Sequence, residues 1–237
     1  MGAAFFHSLM KSAPFSTAVV LAGGAGLRWG SDKPKQFHDL GDRPMIEHCL
    51  LAFERSPSVA SLIVVLPAEN EVDLSEFTKV QSTTTGGATR QASLAEGLIC
   101  LPDETDVVVV HDAARPFVSR ELIDTVVAAV APPFDGALAA LPLDDALREA
   151  DSEMQMIRAA SRSGLYRAQT PQAFTRGCIE ESLHRAQADG YESEDCSELA
   201  IRAGFKVKVV SGDPLNLKIT RPADLALAEA ILATNKR

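Results

Sequence analysis

Short apolar runs alternate with amphipathic stretches along this chain, and this alternation limits the possible folds more than any other feature. The runs are TAVVLAG, SLIVVLP, DVVVVHD and DGALAALPL, and the amphipathic stretches include PMIEHCLLAFERS, ATRQASLAEGLICL and SRELIDTVVAAVA. Continuous apolar runs of this length are typical of strands buried on both faces. Strands that alternate with helices form βαβ units. The sequence therefore predicts an α/β fold with a mostly parallel sheet, completed by a strand in FKVKVVSG and a helix in RPADLALAEAILAT.

One segment, at about residues 141–168, interrupts the alternation. It reads LPLDDALREADSEMQMIRAASRSGLYRA, has weak periodicity and predicts a hairpin around EADSEM. The segment is long for a connection inside a compact domain, and such insertions are often functional. We therefore predict a loose N-terminal tail over residues 1–15 and a single domain over 16–237, from which a β-arm protrudes at about 141–168.

The charge and cysteine content exclude several classes of protein. The formal net charge of −9 disfavours non-specific nucleic-acid binding, although a local cationic cluster can still bind a small anion. No apolar run reaches the length of about 18 residues that suggests a membrane span. The four cysteines are scattered without a CxxC pair, which is typical of reduced thiols in the cytoplasm. We expect a cytoplasmic protein that binds neither nucleic acid nor a membrane.

A glycine-rich turn follows the first predicted strand, in AVVLAGGAGLRWGSDKPKQF. Gly23, Gly24 and Gly26 fall at the carboxyl end of that strand, where open α/β sheets bind ligands. Backbone N–H groups in such a turn form a concavity for anions. The spacing matches neither the dinucleotide motif GxGxxG nor a Walker A motif. Two cations, Arg28 and Lys35, follow at a spacing that suits a polyphosphate held from two sides.

One further motif lies at the predicted ligand-binding edge, and another contains a second glycine pair before a predicted helix start. In VVVVHDAARPF, Asp112 suits a hydroxyl group or Mg²⁺, and the alternative is a helix cap or turn residue. In TTTGGATRQAS, Gly86 and Gly87 allow the close approach of a flat base, and Ser93 is placed to hydrogen-bond it. The alternative for this glycine pair is a simple left-handed turn before a helix.

A third cation, Lys218, lies in the strand-like run NLKITRPADL. A lone lysine in a strand usually lies on a solvated face. Together with the two cations after the first strand, however, it could neutralise charge that develops on a transferred phosphorus. SRSGLYRAQTPQAF adds Arg162 and Thr170, and its Thr-Pro pair predicts an extended turn.

Five of these motifs, in this order and spacing, resemble the 2-C-methyl-D-erythritol 4-phosphate cytidylyltransferases of the non-mevalonate isoprenoid pathway. They are AGGAGLRWGSDKPKQF, GGATRQAS, HDAARPF, RAQTPQAF and NLKITRPADLALAE, and the resemblance runs over about residues 18–232. It implies a Rossmann-like nucleotidyltransferase domain with Mg²⁺ as cofactor. The implied reaction joins CTP and 2-C-methyl-D-erythritol 4-phosphate to give 4-diphosphocytidyl-2-C-methyl-D-erythritol and pyrophosphate.

The resemblance also implies a role for each site residue. Arg28 and Lys35 would hold the triphosphate, Lys218 would stabilise the transition state, and Asp112 would engage the substrate hydroxyls near Mg²⁺. The implied CTP-binding residues are Ala22, Gly23, Gly24, Gly26, Gly87, Ala88 and Ser93. The implied substrate-binding residues are Asp112, Ala113, Arg115, Arg162, Thr170 and Ser193.

The interrupting segment resembles the dimerisation arm of this family. The resemblance implies a homodimer in which Arg162 reaches into the partner's site and binds the substrate phosphate. Three positions depart from the family's pattern, because Trp29, Ala88 and Ala146 stand where methionine, an acidic residue and threonine are usual.

Two alternative functions remain open at this point. Ribitol-5-phosphate cytidylyltransferases share the PKQ, HDA-RP and TPQ motifs but usually have TTPxDL, whereas TRPADL and SRSGLY in this chain favour the erythritol substrate. A nucleotide-binding protein without turnover is the other alternative. The joint presence of Arg28, Lys35, Asp112 and Lys218 disfavours a decayed site of that kind.

Overall fold

The computed structural model describes residues 14–24, 34–68 and 72–235. Two predicted site residues, Gly26 and Arg28, lie outside the described residues, as does most of the predicted N-terminal tail. The strands are β1 (Ser16–Leu21), β2 (Asp39–Leu40), β3 (Arg43–Pro44), β4 (Ser61–Leu66), β5 (Val80–Thr85), β6 (Val107–Asp112), β7 (Gly136–Pro142), β8 (Leu147–Ala150), β9 (Met156–Ala160), β10 (Tyr166–Thr175) and β11 (Val207–Ser211). The α-helices are α1 (Met45–Arg55), α2 (Arg90–Ile99), α3 (Arg120–Ala128), α4 (Arg176–Ala188), α5 (Cys196–Arg202) and α6 (Pro222–Asn235).

Seven strands form one central sheet in the order β11-β7-β10-β6-β1-β4-β5. Within it β10 runs antiparallel to both of its neighbours, and the other pairs are parallel. In the middle of the sheet, Val19 of β1 lies between Ile63 of β4 and Val110 of β6. The prediction of a mostly parallel α/β sheet is therefore confirmed.

The apolar runs form the central strands because both faces of the sheet are covered. Every residue of β1, β4 and β6 is buried. Successive side chains alternate between faces, so that Ala18 and Val20 pack in the core beneath α1 and α3. Val19 and Leu21 pack on the opposite face with side chains of α2, α4 and α5. Helices on both faces leave the carboxyl ends of the parallel strands open at one edge.

The predicted hairpin in the arm is confirmed. The strands β8 and β9 pair antiparallel around EADSEM, with Leu147 opposite Ala160. Met154 in the turn has a φ of 64° and is 85% exposed. The start of β10 continues from this hairpin and pairs with the end of β7, where Tyr166 lies opposite Pro142.

The segment before the last helix differs from the sequence prediction. The strand-like run around Lys218 is not a strand, and residues 212–221 follow an irregular path. The path is held in place because the N–H of Ile219 donates to the carbonyl of Ala114, at 2.8 Å. The predicted closing helix is confirmed as α6. In the part of the chain that the structure describes, neither α6 nor any other helix has the length and apolar character needed to cross a bilayer.

Candidate active site

A cleft of about 460 Å³ opens at the carboxyl ends of β1, β5 and β6. It lies at the edge of the sheet where the sequence predicts ligand binding. Its walls come from the two glycine turns, the end of β6 and the irregular segment before α6. The predicted site residues that line it are Ala22, Gly23, Gly24, Lys35, Gly87, Ala88, Ser93, Asp112, Ala113 and Lys218. The fold thus brings together ten predicted positions from five separate stretches of the sequence.

Asp112, the last residue of β6, is buried at the floor of the cleft between two cations. Its Oδ1 accepts a hydrogen bond from Nε of Arg90 at 3.0 Å, and its Oδ2 accepts one from Nζ of Lys218 at 2.8 Å. Burial by itself would raise the pKa of this carboxyl group. The charges of Arg90 and Lys218 outweigh that effect and hold the pKa of Asp112 well below its usual range. The carboxylate is therefore ionised at neutral pH.

A series of hydrogen bonds through His111 and Thr170 reaches the backbone N–H of Asp112 and holds this residue in place. Nε2 of His111 lies 3.1 Å from the carbonyl oxygen of Arg115, so this nitrogen must donate. Nδ1 then accepts from the hydroxyl of Thr170 at 3.1 Å, and the same hydroxyl accepts from the N–H of Asp112 at 3.1 Å. Burial lowers the pKa of His111 to about 4, which agrees with this neutral tautomer. His111 acts here as a packed structural residue.

The two glycine turns pack directly against each other. A Cβ atom on Gly86 would lie 2.8 Å from Oγ of Ser93 and 3.0 Å from Cα of Gly23. A Cβ atom on Gly87 would lie 2.5 Å from Cβ of Ala92. None of these three glycines has a positive φ, so the left-handed turn considered for this pair is wrong. Glycine is required because the two chain segments approach closely.

Lys35 borders the cleft from the short 3₁₀ helix at Lys35–Phe37. Its ammonium group donates to the carbonyl oxygen of Ile219 at 2.9 Å. The next residue, Gln36, donates through Nε2 to the carbonyl oxygens of Ala22 and Gly24. This short helix thereby ties the first glycine turn to the segment that carries Lys218.

Four predicted substrate-binding residues do not line the cleft. The hydroxyl of Thr170 is buried in the series of hydrogen bonds that holds Asp112, and Ser193 is buried in a turn where it pairs with Glu198. The guanidinium of Arg115 donates to the carbonyl oxygens of Asn216 and Ala168. Arg162 lies on the exposed segment between β9 and β10. Their substrate contacts stay predictions.

Arg90 is the central side chain that the sequence analysis missed. It lies in the quoted motif TTTGGATRQAS, but a single arginine there does not identify its partner. One signal was present, because Arg90 is the first residue of α2 after the N-cap Thr89. A cation is unfavourable at the positive end of a helix, so an arginine at this position suggests a nearby carboxylate.

The chain is similar to known cytidylyltransferases along nearly all of its sequence. The family model for 2-C-methyl-D-erythritol 4-phosphate cytidylyltransferase matches residues 16–234. The protein of that name from Dechloromonas aromatica is 39% identical over 231 residues, which cover 94% of this chain and 100% of that protein. The one from Syntrophus aciditrophicus is 36% identical over 226 residues and covers 92% and 96%.

Solved structures with related names have the same fold. The 2-C-methyl-D-erythritol 4-phosphate cytidylyltransferase from Thermus thermophilus aligns with a TM-score of 0.77 and 33% identity, and covers 91% of this chain and 98% of that one. The 4-diphosphocytidyl-2C-methyl-D-erythritol synthase from Anaerococcus prevotii aligns with a TM-score of 0.81 and 28% identity, and covers 94% and 100%. By sequence and by fold, this chain belongs to the 2-C-methyl-D-erythritol 4-phosphate cytidylyltransferase family.

Proposed function

We propose that this enzyme transfers the cytidylyl group of CTP to 2-C-methyl-D-erythritol 4-phosphate, in the synthesis of isoprenoid precursors. The observation that carries the proposal is the ion-paired Asp112 and Lys218 at the floor of a cleft between two glycine turns. A phosphate oxygen of the substrate forms a bond to the α-phosphorus of CTP. The bond from that phosphorus to the oxygen bridging to the β-phosphorus breaks, and pyrophosphate leaves with the electron pair. The products are 4-diphosphocytidyl-2-C-methyl-D-erythritol and pyrophosphate.

The described residues suit each part of this transfer. Nucleotidyl transfer depends mainly on positioning and on stabilisation of charge. Lys35 and Lys218 border the cleft with groups that can neutralise the triphosphate and the charge on the reacting phosphorus. Gly87 borders the cleft without a side chain, and we expect the backbone there to form a flat wall that suits a pyrimidine better than a purine. Asp112 is placed to accept hydrogen bonds from substrate hydroxyl groups.

We propose Mg²⁺ as the cofactor. Across the described ranges, no group of three or more His, Cys, Asp or Glu side chains is arranged to hold a metal ion. Mg²⁺ is usually bound by one or two carboxylates together with substrate phosphates and water. The residues of the cleft fit an ion whose ligands are mainly oxygens of the triphosphate, with the carboxylate of Asp112 as its protein ligand. Such an ion would offset the negative charge of CTP.

We also propose that the enzyme is a cytoplasmic homodimer that pairs through the arm. Apolar side chains are exposed in the turn between β8 and β9, on β9 and around the start of β10, where a partner would bury them. These side chains are Met154, Met156, Ile157, Leu165 and Tyr166. In such a dimer, Arg162 would bind the substrate phosphate in the partner's cleft.

One assay tests the proposed activity and its alternative. Pyrophosphate release is measured with CTP, ATP or GTP against 2-C-methyl-D-erythritol 4-phosphate and ribitol 5-phosphate. We expect turnover with CTP and the erythritol phosphate far above every other pair. The ribitol reaction is not favoured because the matched relatives carry the erythritol name. Equal rates with ATP would contradict the pyrimidine pocket, and faster turnover of ribitol 5-phosphate would contradict the proposed substrate.

A further inference from the structure

Arg90 occupies a position that is unfavourable for a cation unless a second group compensates. It is the first residue of α2, directly after the N-cap Thr89, so its charge lies at the positive end of the helix dipole. Its side chain is also only 17% exposed, and a buried charge is costly unless it is paired. The compensating group is the carboxylate of Asp112. Because a cation at this position lowers stability unless it is paired, we expect Arg90 to have a role beyond the stability of the helix.

The guanidinium group of Arg90 is held at two points. Its Nε lies 3.0 Å from Oδ1 of Asp112, and its Nη1 lies 3.2 Å from Sγ of Cys196. Burial raises the pKa of the Cys196 thiol, so this second partner is a neutral acceptor. A planar guanidinium fixed at both ends has little freedom to rotate. It therefore fixes the plane of the carboxylate that it contacts.

The two oxygens of Asp112 are divided between two cations with different surroundings. Arg90 holds Oδ1, while Lys218, whose side chain is 38% exposed, holds Oδ2 and borders the cleft. One carboxylate against two cations leaves a net positive charge. Without Arg90, the single negative charge of Asp112 would be matched by Lys218 alone. The lysine would then be less able to attract a phosphate group.

We propose that Arg90 is a positioning residue, which orients Asp112 through Oδ1 and supplies the countercharge that leaves the charge of Lys218 available to phosphate. The inference rests on the proposed cytidylyl transfer, because it assigns Lys218 to the reacting phosphate. Arg90 also borders the cleft, but its Nε and Nη1 are engaged by Asp112 and Cys196, so we infer that it acts through Asp112 and Lys218. Its loss should therefore lower kcat more than it raises KM for CTP, since Lys35 and the glycine turns are untouched.

Arg90→Met removes the charge with little change in length, and Arg90→Lys keeps the charge without the planar fork. Arg176→Met is the matched control, because Arg176 is the first residue of α4, follows the N-cap Thr175 and pairs with Glu180 at 2.7 Å. Arg176 does not line the cleft. At pH 8 we expect kcat to fall by about 10- to 100-fold in Arg90→Met, the range for one hydrogen bond to a charged group. We expect partial rescue in Arg90→Lys and wild-type values in Arg176→Met.

The split between kcat and KM separates this role from a general loss of packing. A packing defect should lower the free energy of unfolding without a selective effect on kcat, whereas loss of positioning should lower kcat and leave KM for CTP nearly unchanged. Arg90→Lys should recover part of kcat, because it restores a positive charge beside Asp112. An unchanged kcat in a folded Arg90→Met protein would overturn the proposal.

A second measurement keeps the test independent of the reaction. If wild-type protein releases no pyrophosphate with CTP and any polyol phosphate, the proposed function is wrong, and the ion pair is then tested by urea unfolding at pH 7. The loss of stability caused by Arg90→Met should be smaller in an Asp112→Asn background than in the wild type, because the carboxylate that compensates Arg90 is then absent. The same comparison applies to Arg90→Lys if Arg90→Met does not fold. Equal losses in both backgrounds would overturn the inference.

Discussion

The ammonium group of Lys218 lies 2.8 Å from the carboxylate of Asp112, although the two residues are 106 positions apart in the chain. The predicted transition-state cation therefore contacts the predicted substrate-binding carboxylate directly. Removing either group leaves the other without one of its partners. Substitutions at this pair consequently report on charge balance in the cleft as well as on ligand contacts.

Lys218→Ala should lower kcat by about 10²- to 10³-fold, the scale known for loss of one preorganised donor to a developing charge. Steady-state kinetics of pyrophosphate release would measure the loss. Lys208→Ala is a suitable control, because Lys208 lies on β11 and its ammonium group contacts the ring of Phe134. A Lys218→Ala enzyme with near-normal kcat would show that this lysine pairs with Asp112 without acting on the reacting phosphate.

Lys35→Ala should lower both kcat and the affinity for CTP. The ammonium group borders the cleft beside the first glycine turn, so it is placed to contact the triphosphate. It also holds the carbonyl oxygen of Ile219, and part of the loss will come from displacement of that segment. Calorimetric titration with CTP measures the affinity directly. CTP affinity equal to that of the wild type would contradict the assignment of Lys35 to the triphosphate.

Gly86→Ala should destabilise the fold and weaken CTP binding. The new Cβ atom would overlap Oγ of Ser93 and the backbone of Gly23, so the two turns must separate. Overpacking of this kind costs about 1–3 kcal/mol. Gly177→Ala is the matched control, since a Cβ atom on this helical glycine meets nothing within 4 Å. Denaturant unfolding and CTP titration of both variants test the prediction, and wild-type behaviour of Gly86→Ala would refute the close-packing explanation.

Acid should destabilise the enzyme through His111. Its pKa is about 4 in the folded state, whereas the unfolded state takes up a proton near pH 6.5. Protons therefore bind preferentially to the unfolded chain between these values, and the free energy of unfolding should fall by at most roughly 3 kcal/mol as the pH drops across that window.

His111→Gln provides the comparison for this titration. Glutamine can donate to the carbonyl oxygen of Arg115 but does not titrate. Urea unfolding at several pH values between 4 and 7 should show a shallower dependence in His111→Gln than in the wild type. Equal slopes would assign the acid sensitivity to other groups.

Arg162→Ala should weaken binding of the polyol phosphate by about one to two decades, the value of one charge-assisted contact, and leave CTP affinity nearly unchanged. Mixing this variant with Lys218→Ala tests whether sites are shared between subunits. A heterodimer with shared sites contains one cleft with both Lys218 and Arg162, so activity should partly recover. Heterodimers that form without any recovery would show that Arg162 serves its own subunit.

The central strands and the cleft could be predicted because their signals are local. Continuous apolar runs identified β1, β4, β6 and β7, and glycine pairs at strand ends identified two walls of the cleft. The edge strand β5 was missed because its sequence, VQSTTT, is polar. The β-branched residues Val80, Thr83, Thr84 and Thr85 were the available signal in the sequence. The division into a tail, one domain and an arm stays a prediction.

The contacts within the site depend on topology, which a single sequence does not reveal. Arg90 and Cys196 are separated by 106 residues, yet they meet because α2 and α5 cover the same face of the sheet. The helix α4 was also overlooked, although its buried residues recur with helical spacing at Cys178, Ile179, Ser182 and Leu183. Its weak overall hydrophobicity obscured that pattern. Lys218 was placed in a strand because apolar neighbours flank it, but the segment is irregular and does not pair in the sheet.

The strand β10 joins two parts of the molecule that are otherwise separate. Its second half is buried in the sheet, where Phe174 lies opposite Gly136, and its first half leaves the core and continues from the exposed hairpin. The pairing with β7 shifts between Ala168 and Gln172, and Thr170, which supports Asp112, lies within that interruption. The strand thus connects the exposed hairpin with the residue that supports Asp112. In the proposed dimer, a partner that binds the hairpin would be linked to the floor of the cleft through one continuous backbone.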